Sequence, residues 1–161
     1  MKPLLSLILG VLYFGCSCLG SFTSSGHDNQ FIQVFFQAGF NELDTFNGTY
    51  QKDLIPGIAR TRMWLTASEQ DTILRYVNEI EFFSFPDTIF REPFMITSPD
   101  PGPLIIRIKY RDHDRKVVWF FPPDQNSMAG RKIRGLDRLL RNIIGAKPEF
   151  KVLPNTNGVY Q

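Results

Sequence analysis

The stretch from Leu65 to Asp87, LTASEQDTILRYVNEIEFFSFPD, constrains the fold more than any other part of the chain. Thr66 has the side chain of an N-cap. Glu69 stands three residues on, where a capping box needs a carboxylate to reach back to the cap N–H. The helix is therefore expected to start near Ala67. Ile73, Leu74, Val77 and Ile80 recur at helical spacing, while Glu69, Arg75, Asn78, Glu79 and Glu81 fall largely elsewhere, so one apolar stripe can lie against a sheet. Phe82, Phe83 and Phe85 extend that core, and Pro86 is expected to stop the helix.

The strands to cover that stripe are read from alternation. Phe31 to Gln37 places Ile32, Val34 and Phe36 on one face. Ala38 to Asp44 is expected to turn, and Phe46, Gly48 and Tyr50 alternate with Asn47, Thr49 and Gln51 in a second strand. Asn47-Gly48-Thr49 matches a glycosylation sequon by chance composition, and Asn-Gly is also a tight-turn pair. After Pro56-Gly57, Arg60 to Leu65 puts Met63 and Leu65 inward and Arg60, Arg62 and Trp64 outward. Trp64 has two readings, a binding residue flanked by arginines or a ring packed beneath a loop. Leu104–Tyr110 and Lys116–Phe121 form the clearest hairpin, with Leu104, Ile106 and Ile108 on one face, Arg107 and Lys109 on the other, and Arg111-Asp112-His113-Asp114 as a charged turn. Leu136, Leu139, Leu140, Ile143 and Ile144 describe a second helix, with Gly145 as its C-cap and Pro148 beyond. Phe150, Val152 and Leu153 suggest a short last strand.

These elements predict an α+β class: an antiparallel sheet of about five strands with two amphipathic helices on one face, in the order β-β-β-α-β-β-α. The chain of 161 residues is about one domain long. The expected division is a signal peptide over 1–16, a flexible tether over 17–30, a single α+β domain over 31–154 and a frayed tail over 155–161. Between Pro86 and Pro103 runs a proline-stiffened connection of the kind that often carries binding surfaces.

Lys2, the apolar run Pro3 to Phe14 and the small residues Gly15, Cys16 and Ser17 have the layout of an export signal. Leu12-Tyr13-Phe14-Gly15-Cys16 resembles a loose bacterial lipobox, which would leave Cys16 lipid-modified; Tyr13 and Phe14 depart from the usual pattern and Gly15 fits it. Three other readings stand beside it: cleavage near Gly20 or Ser21, an uncleaved anchor, and Cys18 as the modified residue. With both cysteines in this region, the domain lacks the thiols for a disulfide scaffold, a thiolate metal site or a cysteine nucleophile.

Catalytic constellations are scarce. The two histidines fall in the tether and at the hairpin tip, and no GxSxG, SxxK, HExxH, phosphate loop or dinucleotide fingerprint occurs. Asp112-His113-Asp114 lacks a second ligand cluster at a metal-like spacing. The expectation is no enzyme, no cofactor and no metal; Asp87 and Asp100 in the long connection are the carboxylate pair that a hydrolase alternative would use. Charge is uneven: residues 131–161 hold seven Lys and Arg against two Asp and Glu, in a chain of net charge +2. Arg134, Arg138 and Arg141 recur at i, i+4 and i+7 on the second helix, either a solvated face or a stripe for an anionic lipid surface. Nucleic acid is not expected for an exported chain.

The signal with its cysteine, Gly48-Thr49-Tyr50, Leu65-Thr66 with Glu69, Phe82-Phe83-Ser84-Phe85-Pro86-Asp87, the basic hairpin and the Leu-rich final helix together resemble a family of small Bacteroidota envelope lipoproteins. The resemblance covers roughly residues 46–144. It implies a small α+β module of the beta-lactamase-inhibitor or PepSY type, exported to the cell envelope as an outer-membrane lipoprotein, with no catalytic residues to carry over. The functional expectation is a non-catalytic, lipid-anchored binding module, with a soluble secreted inhibitor-like domain as the alternative. Its contact residues are expected to be Arg60, Arg62, Trp64, Arg107 and Lys109 on the open sheet face, with Arg134, Arg138 and Arg141 as a further basic group, and its partner an envelope protein or an anionic lipid surface.

Overall fold

A computed structural model of the chain describes residues 31–54, 57–89, 102–120 and 127–155. The signal peptide, Cys16, the tether, Asp100 and most of the proline-rich connection lie outside the described residues. Among those described, β1 (Gln33–Ala38), β2 (Asn41–Asp44), β3 (Thr49–Leu54), β4 (Gly57–Arg62), β5 (Thr88–Ile89), β6 (Leu104–Tyr110) and β7 (His113–Trp119) form one sheet in the order β4-β3-β2-β1-β6-β7-β5. Helices α1 (Ala67–Glu79), α2 (Met128–Ala146) and the short α3 (Pro148–Lys151) complete it. The class is α+β, as expected, but the sheet has seven strands rather than five, and it is mixed because β5 runs parallel to β7.

The core lies between one face of the sheet and the helices. Val34 and Phe36 of β1, Leu43 of β2, Tyr50 of β3, Ile106 and Ile108 of β6, and Val117 and Trp119 of β7 are buried together with Ile73 and Val77 of α1 and Ile133, Leu136, Leu140 and Ile144 of α2. Each such side chain contributes about 1.5–3 kcal/mol relative to leaving it exposed, so this seam dominates stability. Strand parity follows from it: the alternate residues are left on the opposite face, which among the described residues no helix covers.

Helix α1 begins as its sequence demands. The Glu69 N–H donates to Thr66 Oγ1 at 3.3 Å and the Thr66 N–H donates to Glu69 Oε2 at 2.7 Å, closing a capping box. Its end is set earlier than Pro86. The Ile80 N–H bonds back to the last turn, Glu81 adopts φ 59°, and a single 3₁₀ turn over Phe82–Ser84 brings Phe82 and Phe85 into the core. Phe83 packs partly, its ring 5.1 Å from that of His113.

Other differences have equally local causes. The expected turn over Ala38–Asp44 contains a real strand, β2, entered at Gly39 (φ 63°) and carrying one buried apolar residue, Leu43. Helix α2 starts eight residues before Leu136, because the Ser127 hydroxyl accepts the Gly130 N–H at 2.9 Å and so caps the helix at Met128. Gly145 lies inside that helix, and Lys147 is its C-cap. The expected last strand is instead helix α3, with Pro148 at its first position, where the missing N–H costs nothing. His113 and Asp114 belong to β7, so the hairpin turn is only Arg111-Asp112.

Candidate functional site

The uncovered face is built from cross-strand registers. One row runs Lys116, Arg107, Phe35, Asp44, Thr49, Arg62 across β7, β6, β1, β2, β3 and β4. The next runs Val118, Ile105, Gln37, Glu42, Gln51, Arg60. Lys109 stands opposite both Gln33 and Asp114. The face therefore has a half-buried apolar patch of Phe35, Ile105 and Val118, with cations at both flanks and the carboxylates of Glu42 and Asp44 between them. Like and unlike charges within one row are close enough to interact across strands.

Each cation has its own surroundings. The Arg107 guanidinium donates twice to Asp114, Nη2 to Oδ2 at 2.6 Å and Nε to Oδ1 at 2.9 Å, and lies 4.9 Å from the centroid of the Phe46 ring. Those hydrogen bonds pull the Asp114 carboxyl below its ordinary range and push Arg107 up. Asp44 spends its carboxylate locally, accepting the Phe46 N–H at 2.9 Å and the Asn47 side-chain amide at 2.6 Å. Arg60 donates through Nε to Gln51 Oε1 at 3.1 Å. Among the described residues neither Arg60 nor Arg62 reaches a carboxylate.

Trp64 follows β4 and packs by its ring, as the second of its sequence readings expects. It remains 59% exposed, yet its six-membered ring rests on Gly48, which holds φ 65° in the β2–β3 turn.

The helical arginines do not join this face, because α2 occupies the other layer. Arg141 pairs with Asp137 at 2.7 Å and lies over the Phe36 ring, and Arg134 is half-buried. Arg138 lines an open groove of ≈ 310 Å³ between α1 and α2, with Thr72, Arg75, Tyr76, Glu79 and Leu139. At the groove floor Tyr76 donates its hydroxyl to the Lys132 carbonyl at 3.3 Å; burial, with Glu79 adding to it, pushes that hydroxyl's pKa up. Asp87 is engaged by Arg115, which also donates to the Phe83 carbonyl at 3.2 Å.

Sequence reasoning missed Glu42 and Asp44 as members of the face. The available signal was the alternation around Leu43, with Gly39 before it and Asn47-Gly48 after. Among the described residues, no group of His, Cys, Asp and Glu is arranged to hold a metal, and no helix is long and apolar enough to cross a membrane. Comparison with protein-family models, curated proteins and solved structures finds no match.

Proposed function

We propose that this chain is a non-catalytic binding module, held at the cell envelope by a lipid on Cys16, and that the open sheet face contacts an envelope protein. One observation carries the reading: on the sheet face that no described helix covers, an apolar patch of Phe35, Ile105 and Val118 has Arg107, Lys109 and Lys116 beside it at one flank and, at the other, the carboxylates of Glu42 and Asp44 with Arg60 and Arg62 beyond them on β4. A partly apolar centre with a charged rim is the usual composition of a protein-binding surface, and flanking cations accelerate encounter with an acidic partner.

The test is capture from native envelopes by cross-linking. Charge reversal at Lys109 and Lys116 together should abolish recovery of the partner with no fall in melting temperature, since both side chains are exposed. Undiminished recovery rejects the face as the contact surface. The intact mass of the mature N-terminus tests the anchor separately: a diacylglyceryl adduct on Cys16 is expected, and an unmodified chain starting near Ser21 overturns it.

A further inference from the structure

We propose that the outer edge of β4 accepts an extended acidic segment of a protein partner as an eighth strand. The inference rests on the binding reading above and assigns it a mode. Among the described residues the sheet ends in β4 on one side and in β5 on the other, and of these two β4, with six residues against two, is long enough to template another strand.

The phase of the ladder shows which backbone groups are available. The Met63 N–H donates to the Gly48 carbonyl at 3.0 Å, and the β3–β4 register pairs Arg62 with Thr49 and Thr61 with Tyr50. Antiparallel ladders alternate bonded and non-bonded pairs. Thr61, Ala59 and Gly57 therefore bond inward to β3, and Ile58, Arg60 and Arg62 turn their N–H and C=O groups outward. Among the described residues no strand pairs with that edge. Helix α3 does not cover it from the open side: Phe150 packs on the core side against Tyr50, ring centroids 5.7 Å apart.

The side chains of the same three residues lie on the open face, and Ile58 is 55% exposed. β4, GIARTR, contains neither a proline nor an inward-facing charge; of the devices that usually blunt an edge it carries outward charge, Arg60 and Arg62. That charge also selects the occupant. A second copy pairing edge to edge would set Arg60 and Arg62 against their own counterparts, which is unfavourable, whereas a strand with carboxylates at alternate positions meets opposite charge at each. Main-chain bonds then supply affinity and the alternating side chains supply specificity.

The test uses the full chain and fluorescein-labelled peptides, Thr-Glu-Val-Glu-Val-Glu-Thr and its lysine counterpart. The glutamate peptide should bind at least ten-fold more tightly, and N-methylation at its alternate amides should abolish binding. Ile58→Pro removes an outward N–H but no charge and no bond to β3; it should weaken binding at least ten-fold at unchanged melting temperature. Arg60→Glu with Arg62→Glu should transfer the preference to the lysine peptide. Equal binding of the two peptides, or indifference to both N-methylation and Ile58→Pro, overturns the proposal. So does a dimer of the full chain that Ile58→Pro dissociates, which would give the edge to a second copy. Binding that survives Ile58→Pro but is lost on Lys109→Glu with Lys116→Glu overturns the edge mode and leaves the open-face reading standing. Insensitivity to both sets of variants removes both.

Discussion

The six-membered ring of Trp64 lies directly on the backbone of Gly48: a Cβ built on that glycine would fall 2.0 Å from Cζ2 of the indole. Because Gly48 also holds φ 65°, it answers two demands, a left-handed turn and a close aromatic contact. Gly48→Ala should lower stability by about 2 kcal/mol, combining the left-handed penalty with displacement of the ring. Denaturation followed by tryptophan fluorescence checks it, and an unchanged transition with unchanged Trp64 emission contradicts the contact.

Glu69 joins the start of α1 to the end of α2. Beside its capping role it accepts from Lys147 Nζ at 2.5 Å, and Lys147 is only 6% exposed. Removing one partner of a buried pair leaves the other charge stranded. Glu69→Gln should therefore cost about 3 kcal/mol. Lys147→Met, which leaves a carboxylate with partial access to water, should cost less, about 1 kcal/mol. Urea denaturation of the two variants measures the asymmetry.

The same carboxyl makes stability depend on pH. Burial alone would raise its pKa, but the hydrogen bonds from Lys147 and Thr66 outweigh burial and hold it below the ordinary glutamate value. A depressed carboxyl stabilises the fold above its unfolded pKa, about 4.3, and that contribution is lost as pH falls through the lower folded value. Stability of the natural chain should therefore decline over the interval from the unfolded pKa down to the folded one. In Glu69→Gln this part of the decline should vanish; an identical acid slope in both proteins contradicts the assignment.

The Tyr76 hydroxyl of α1 lies against Gly135 of α2, since a Cβ on Gly135 would stand 1.8 Å from the hydroxyl oxygen. Gly135→Ala should destabilise by about 1–2 kcal/mol, the clash exceeding the gain of about 1 kcal/mol in helix propensity. In a Tyr76→Ala background the sign should reverse, because only the propensity gain remains. A double-mutant cycle reads that coupling.

What was legible in the sequence follows from how many independent signals converge on an element. Helix α1 carries both a capping box and a clear apolar period, and the β6–β7 hairpin carries strict alternation on both arms, so each was readable to within a few residues. Strand β2 has only Leu43 to bury, and four residues cannot establish a period. At the chain's end, Phe150, Val152 and Leu153 match a strand by composition, but Pro148 following the α2 C-cap starts a helix instead. For the open face, parity placed Arg60, Arg62, Arg107 and Lys109 correctly, whereas the pairing of Arg107 with Asp114 depended on a turn two residues shorter than expected. The basic spacing of Arg134, Arg138 and Arg141 on α2 was visible, but its placement in the opposite layer is a property of packing.

The most direct measurement is photo-cross-linking of the full chain in the cells that produce it, with the photoreactive residue placed at Arg62 in one variant and at Arg138 in another. Binding through the open face and its β4 edge predicts a discrete protein adduct from position 62 and none from position 138. An adduct from position 138 alone would assign recognition to the helical layer and contradict the account.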